Sequence, residues 1–234
     1  MVLTTPWGKK HVDTSTEKVR LGDQELRQEE AVRYLGVTVD QHLQWDQHFL
    51  QVKAKVNRGT CLLNRVKKGL PKEERLALYR AFVESHLTYC APVWSAATGK
   101  NVSILEVAQR NAVRALADYT AEKRTDELFV EWNIEKVKYM WARLDAQWLF
   151  RLRKLEQYRT VPAYMADLIP IRETKRTHRA NSKHTNIDAK SNTAIGERMF
   201  ATRLMHLDLS LPKAIWDCLG IGHFRSAFKL YHKM

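Results

Sequence analysis

Cysteine is scarce and scattered. Cys61, Cys90 and Cys218 are odd in number and share no CxxC spacing, so neither a disulfide framework nor a zinc knuckle is supported, and a reducing compartment is expected. No apolar run approaches the roughly 18 residues of a membrane span, and the first residues lack the apolar stretch of a signal peptide. A soluble intracellular chain with no membrane contact is expected, in either the nucleus or the cytoplasm. The signatures of common catalysts are missing as well: the sequence holds no Gly-rich phosphate loop, no GxSxG and no Asp-Asp pair. Its nine histidines are scattered, and the nearest pairs, His42 with His48 and His178 with His184, are six apart, the wrong spacing for one helical face. Neither a metal nor a cofactor is expected.

With only 9 Gly and 6 Pro in 234 residues, 44% hydrophobic and 28% charged, the composition is that of a globular, helix-rich chain long enough to bury a real core. What it has in excess is positive charge. Lys and Arg number 39 against 26 Asp and Glu, a net +13, and an excess of this kind serves phosphate binding through counterion release. The excess is uneven: residues 1–40 are balanced, whereas residues 41–118 carry 12 basic groups against 6 acidic ones and residues 119–234 carry 21 against 13, so the charge belongs to the helical body. Nucleic acid is the first partner this implies.

Near the N-terminus, Val19 and Leu21 alternate with charged neighbours before the turn signal Gly22-Asp23. After "RQEE", Leu35, Val37 and Val39 fall on one face of a second strand, and Tyr34, Gly36 and Thr38 on the other. A β-hairpin or sheet edge over residues 1–40 is expected. Asp46 is placed to cap a helix in which Phe49, Val52, Val56, Leu63 and Val66 recur at helical spacing, and Gly69-Leu-Pro71 stops it. On that helix Lys55, Arg58, Arg65 and Lys68 project away from the apolar stripe as a basic ridge. A second helix over about 72–88 buries Leu76, Tyr79, Val83 and Leu87. After the connection "YCAPVWSAATGKN", a third over about 102–117 buries Leu105, Ala108, Ala112 and Leu116 and lines up Arg110 and Arg114 outside. Three helices across 41–118 make a compact bundle.

Residues 119–170 carry a long helix, from about 135 to 158, with Val137, Trp141, Leu144, Trp148, Leu152 and Leu155 on its apolar face. Residues 171–193, "IRETKRTHRANSKHTNIDAKSNT", hold no apolar periodicity and read as a basic loop or linker that includes Arg172, Lys175, Arg176 and Arg179. Residues 194–234 offer short helices around a Leu-Pro turn, the last carrying Phe224, Phe228 and Tyr231. The expected fold is mainly α, with a short N-terminal hairpin, a three-helix bundle and a further helical region.

The order "RYLGVTVDQHLQWDQHF", then "CLLNRVKKGLPKEERLALYRAFVESHLTYCAPVWS", then "LEVAQRNAVRAL" resembles the end of non-LTR, LINE-type, Jockey-like retrotransposon reverse transcriptases. The likeness is strong over residues 30–116. It continues thinly through "MVLTTP", similar to the last palm strand, "VPAYMADLIPIRETKRTHR" and "LSLPKAIWDCLGIGHFRSAFKLYHKM". The resemblance implies that Tyr34, Leu35 and Gly36 match a primer-grip element, whose glycine lets backbone approach a sugar-phosphate chain. It also implies that residues 46–117 match a thumb, which holds RNA or RNA–DNA duplex by its phosphates without reading bases. Polymerisation in that family needs carboxylates from an early palm strand and a Tyr-x-Asp-Asp turn to hold two metal ions. Those strands would lie upstream of Met1, so a truncated reverse-transcriptase fragment, not an enzyme on its own, is expected. The alternative is a non-catalytic helical interaction module or decayed remnant, self-associating through a palm-facing surface around Val32, Leu35, Val37 and Trp45.

Overall fold

The computed structural model describes residues 20–27, 29–117, 124–157, 203–204, 207, 210–218 and 220–231. Among them the chain is mainly helical, as the sequence pattern requires. These residues fall into two compact units, one drawn from Met1–Cys90 and Ala97–Val137, the other from Ala91–Ala96 and Lys138–Met234.

In the first unit the N-terminal segment forms two small antiparallel hairpins rather than one. β1 (Arg20–Leu21) pairs with β2 (Gln24–Glu25) around Gly22, which sits at φ +61, and β3 (Ala31–Tyr34) pairs with β4 (Val37–Asp40). The run "YLGV" is therefore a turn and not a strand interior. Tyr34 and Val37 are the closing pair, and Leu35 and Gly36 between them both adopt positive φ, 45 and 82. That is the two-residue mirror-image turn whose twist suits a hairpin, and it explains the glycine. The alternation breaks there: Val37 and Thr38 are buried while Leu35 is exposed.

Helix α1 (Asp46–Val66) follows, but Asp46 does not cap it. The residue ahead of it, Trp45, lies in the left-handed region at φ 66, and the junction is anchored from further back. The Asp40 carboxylate accepts the backbone N–H groups of His42 (3.1 Å), Gln44 (3.0 Å) and Trp45 (2.6 Å), while Asp46 Oδ1 accepts from Asn101 Nδ2. A carboxylate with three backbone donors offsets the strain of Leu43 and Trp45, both at positive φ. Thr38 ties β4 to α1: its N–H donates to His48 Nδ1 at 3.3 Å and its hydroxyl to Gln51 Oε1 at 3.0 Å. Burial drives the His48 imidazole down to about 4, and the charge of Lys55 pushes the same way.

The second helical run joins α2 (Lys72–Tyr79) to α3 (Ser85–Thr88) through a π segment, Arg80–Glu84. Tyr79, Val83 and Leu87 are fully buried at spacings of four, and in a regular helix such a row rotates by about 40° per step. One widened turn takes up that drift. Gly59 of α1 lies against it, so close that a Cβ there would be 2.4 Å from the Phe82 carbonyl oxygen. Helix α4 (Ala91–Trp94) occupies part of what the sequence pattern gives as a plain connection. Helix α5 (Gly99–Leu116) packs along α1 and buries Leu105, Ala108, Ala112 and Leu116 as expected. Helix α6 (Thr125–Glu131), which periodicity missed, packs on α5. Buried Gln109 binds three partners here: its Nε2 donates to Tyr79 Oη (3.2 Å) and the Glu135 carbonyl (2.8 Å), and its Oε1 accepts from Val137 N–H (2.8 Å).

The second unit holds α4, α7 (Val137–Gln157), α8 (Lys213–Trp216) and α9 (Ile221–Tyr231). Phe224 is its centre, stacked on Phe150 at 4.5 Å with Trp216 and Phe228 around it, and Trp94 meets Trp141 edge to face at 5.3 Å. On α7 the expected inward residues Leu144 and Trp148 are only half-buried, whereas Asp145 and Gln147 are buried. Packing reaches round more of this helix than one apolar stripe, which leaves Asp145 inside. Burial raises its carboxyl to about 6, and only Arg203, 3.6 Å away, opposes that. Arg203 also donates to the Pro92 carbonyl at 2.7 Å and to Ser95 Oγ. The side chain of Leu155 lies outside the described residues.

Candidate nucleic-acid interface

The first unit gathers part of the expected site on one edge. Tyr34 and Leu35 stand out at the hairpin tip, 68% and 73% exposed, and Gly36 completes the turn. Beneath the tip is Tyr89, which ends the α2–α3 run. Its hydroxyl donates to the Leu35 carbonyl at 2.8 Å, and its ring fills the space where a Gly36 Cβ would come within 3.4 Å of Tyr89 Cε1. Three residues earlier, on the same flank, is His86. Its imidazole is held below the ordinary range by partial burial and then by the positive charges of Lys55 and Arg58. The exposed turn thus rests on Tyr89, and His86, three residues before Tyr89, lies within reach of the charges of Lys55 and Arg58.

Lys55 is half-buried and Arg58 exposed. Further on, exposed Arg65 lies in the last turn of α1 and exposed Lys68 in the 3-10 turn Lys67–Gly69 that follows. From Lys55 to Lys68 the ridge runs about 20 Å at 1.5 Å per residue, long enough to meet several phosphates of one strand.

Arg110 and Arg114 are built into a separate group on α5 and α6. Both are exposed, but Arg114 Nε donates to Thr125 Oγ1 at 2.9 Å. Acid sits beside them: the Asp126 carboxyl, bonded to Lys136 at 2.8 Å, is held low first by Lys136 and, more weakly, by Arg110 and Arg124. Their charge is therefore partly answered from within the unit. Arg172, Lys175, Arg176 and Arg179 lie outside the described residues.

Two of the residues expected to offer a palm-facing surface do not do so. Val37 and Trp45 are 5% and 6% exposed, folded into their own unit, while Val32 and Leu35 remain outside. A hairpin that docks on α1 must bury one face, and that face took Val37 with it. The reading of the ridge missed Tyr89 and His86. Their signal is a spacing of three lying off the apolar Tyr79–Val83–Leu87 row.

Among the described residues no three His, Cys, Asp or Glu side chains are grouped as metal ligands, and no helix is long and apolar enough to cross a membrane. Compared with family models, curated proteins and solved structures, the chain finds no match.

Proposed function

We propose that this chain is a thumb-like segment of the non-LTR reverse-transcriptase type, which grips RNA or RNA–DNA duplex through phosphates and performs no chemistry by itself. The observation that carries the reading is the row of cations along α1, half-buried Lys55 and exposed Arg58, Arg65 and Lys68, in the unit that also presents the exposed Tyr34–Gly36 turn on Tyr89. Cations along one helix follow a backbone but cannot read buried base edges, so binding is nonspecific in sequence. The Arg110–Arg114 group contributes less, because Asp126 and Thr125 already engage it. No polymerase step belongs to this reading, since the sequence has no Asp-Asp pair for the metal ions.

The test is binding of the purified chain to a labelled RNA–DNA hybrid across a salt series. Four phosphate contacts give a slope of log K on log salt of about −3 to −4. Charge reversal at Lys55, Arg58, Arg65 and Lys68 together is expected to abolish binding at 100 mM salt, and reversal at Arg110 and Arg114 to weaken it only modestly. A ridge variant that binds like the parent rejects the proposal and leaves a protein-interaction role as the better reading.

A further inference from the structure

We infer that Tyr89 is the positioning residue of this interface, holding the Leu35–Gly36 turn in the one conformation in which the hairpin tip is presented for binding; the inference rests on the nucleic-acid reading above. The tip has reason to need such a tie. A two-stranded hairpin is marginal by itself, and here a leucine, not a glycine, takes the first left-handed position of the turn. Three of the four residues of β3 are exposed, so the outer strand has little packing to steady it. Tyr89 supplies what is missing from outside the hairpin, 54 residues away in sequence. Its hydroxyl donates to the Leu35 carbonyl, and its ring lies at ordinary contact distance from where a Gly36 Cβ would sit, while the φ of +82 is what reserves that position for glycine.

Tyr89 is itself 53% exposed, so its ring is not a core residue that meets the turn by accident of burial. The α2–α3 run delivers it there. The π segment Arg80–Glu84 keeps Tyr79, Val83 and Leu87 inward, and with Leu87 fixed inside, Tyr89 falls on the side that meets the hairpin. One helix end therefore sets both the turn and the imidazole that lies near Lys55 and Arg58. The tip is held by a residue that neutralises no phosphate.

The experiment pairs hybrid binding with amide hydrogen exchange of residues 34–38 in the parent chain, Tyr89→Phe, Gly36→Ala and the double variant. Tyr89→Phe keeps the ring and removes one neutral hydrogen bond, so affinity is expected to fall about fivefold, with faster exchange at the tip and an unchanged salt slope. Gly36→Ala strains the same turn through its backbone, at φ +82, without crowding the Tyr89 ring. The double variant is expected to lose less than the two single losses multiplied, because both act on one element. A parent chain that binds while Tyr89→Phe binds equally well overturns the inference alone. Weaker binding with tip exchange unchanged also overturns it, making Tyr89 a direct contact instead. A parent chain that does not bind at low salt overturns the nucleic-acid reading, and the inference with it.

Discussion

Replacing Gly59 by alanine sets helix propensity against packing. Gly59 lies inside α1, where alanine is favoured over glycine by about 1 kcal/mol, so the sequence alone says that the substitution stabilises. The structure says the opposite. The new methyl would sit 2.4 Å from the Phe82 carbonyl oxygen and 3.0 Å from Val83 Cγ2, where ordinary contact begins at 3.4 Å. The atom in the way is backbone, so no side-chain rotation relieves it, and α1 must move off the π segment by about 1 Å. That loosens Val56, Leu63 and Val83, all fully buried. Overpacking against a rigid neighbour costs about 3 kcal/mol, the upper part of the usual range, and the propensity gain leaves a net loss of about 2 kcal/mol. For a chain of this size the midpoint should fall by about 4–8 °C in a thermal melt followed by far-UV circular dichroism. Gly69→Ala is the control, because nothing lies within 4 Å of its added Cβ, and it should leave the midpoint unchanged or slightly raised. A Gly59→Ala chain that melts at or above the parent temperature would show that α1 does not rest on Phe82, and the explanation of the π segment would go with it.

The two units should respond oppositely to mild acid. His48 is pushed down from 6.5 to about 4, so the unfolded chain binds the extra proton in that interval, and the first unit loses stability as pH falls through it. Asp145 is raised from 3.8 to about 6, so the folded chain binds the proton first, and this group makes the second unit more stable as pH falls from 6 toward 4. Amide exchange corrected for its intrinsic pH dependence, between pH 7 and 4.5, should show protection falling around Thr38 and α1 and rising around Asp145; a common direction in both units would contradict the assignments. Asp40→Ala removes three backbone hydrogen bonds to a carboxylate and should destabilise the first unit by about 2 kcal/mol in urea melts, with Asp40→Asn costing less. An Asp40→Ala chain as stable as the parent would show that the β4–α1 junction is held by something else.

Much of the fold was legible because helices announce themselves locally. Phe49, Val52, Val56 and Leu63 on α1, and Leu105, Ala108, Ala112 and Leu116 on α5, are buried as their spacing requires. Where local pattern and tertiary packing diverge, the divergence has a cause that can be named. "YLGV" alternates like a strand, yet positive φ at two successive residues makes it a turn. Asp46 looks like a cap, yet it lies inside the first turn of α1, and the carboxylate that fixes the approach is Asp40, six residues earlier, which accepts the loop N–H groups of His42, Gln44 and Trp45. Helix α6 is only 7 residues long, too short for an amphipathic period to stand out.

The candidate interface divides in the same way. The excess of positive charge, its absence from residues 1–40, and the helical phase of Lys55, Arg58, Arg65 and Lys68 are properties of the sequence, because composition and a 3.6-residue period need no knowledge of what packs where. Only the tertiary structure decided that the hairpin tip rests on Tyr89, that His86 comes within reach of Lys55 and Arg58, and that Arg110 has Asp126 near it while Arg114 bonds Thr125. Tyr89 and Leu35 are 54 residues apart, and a contact at that separation is written in no local pattern. It exists because burying Tyr79, Val83 and Leu87 fixes how the second helical run turns, and Tyr89 goes where that rotation carries it.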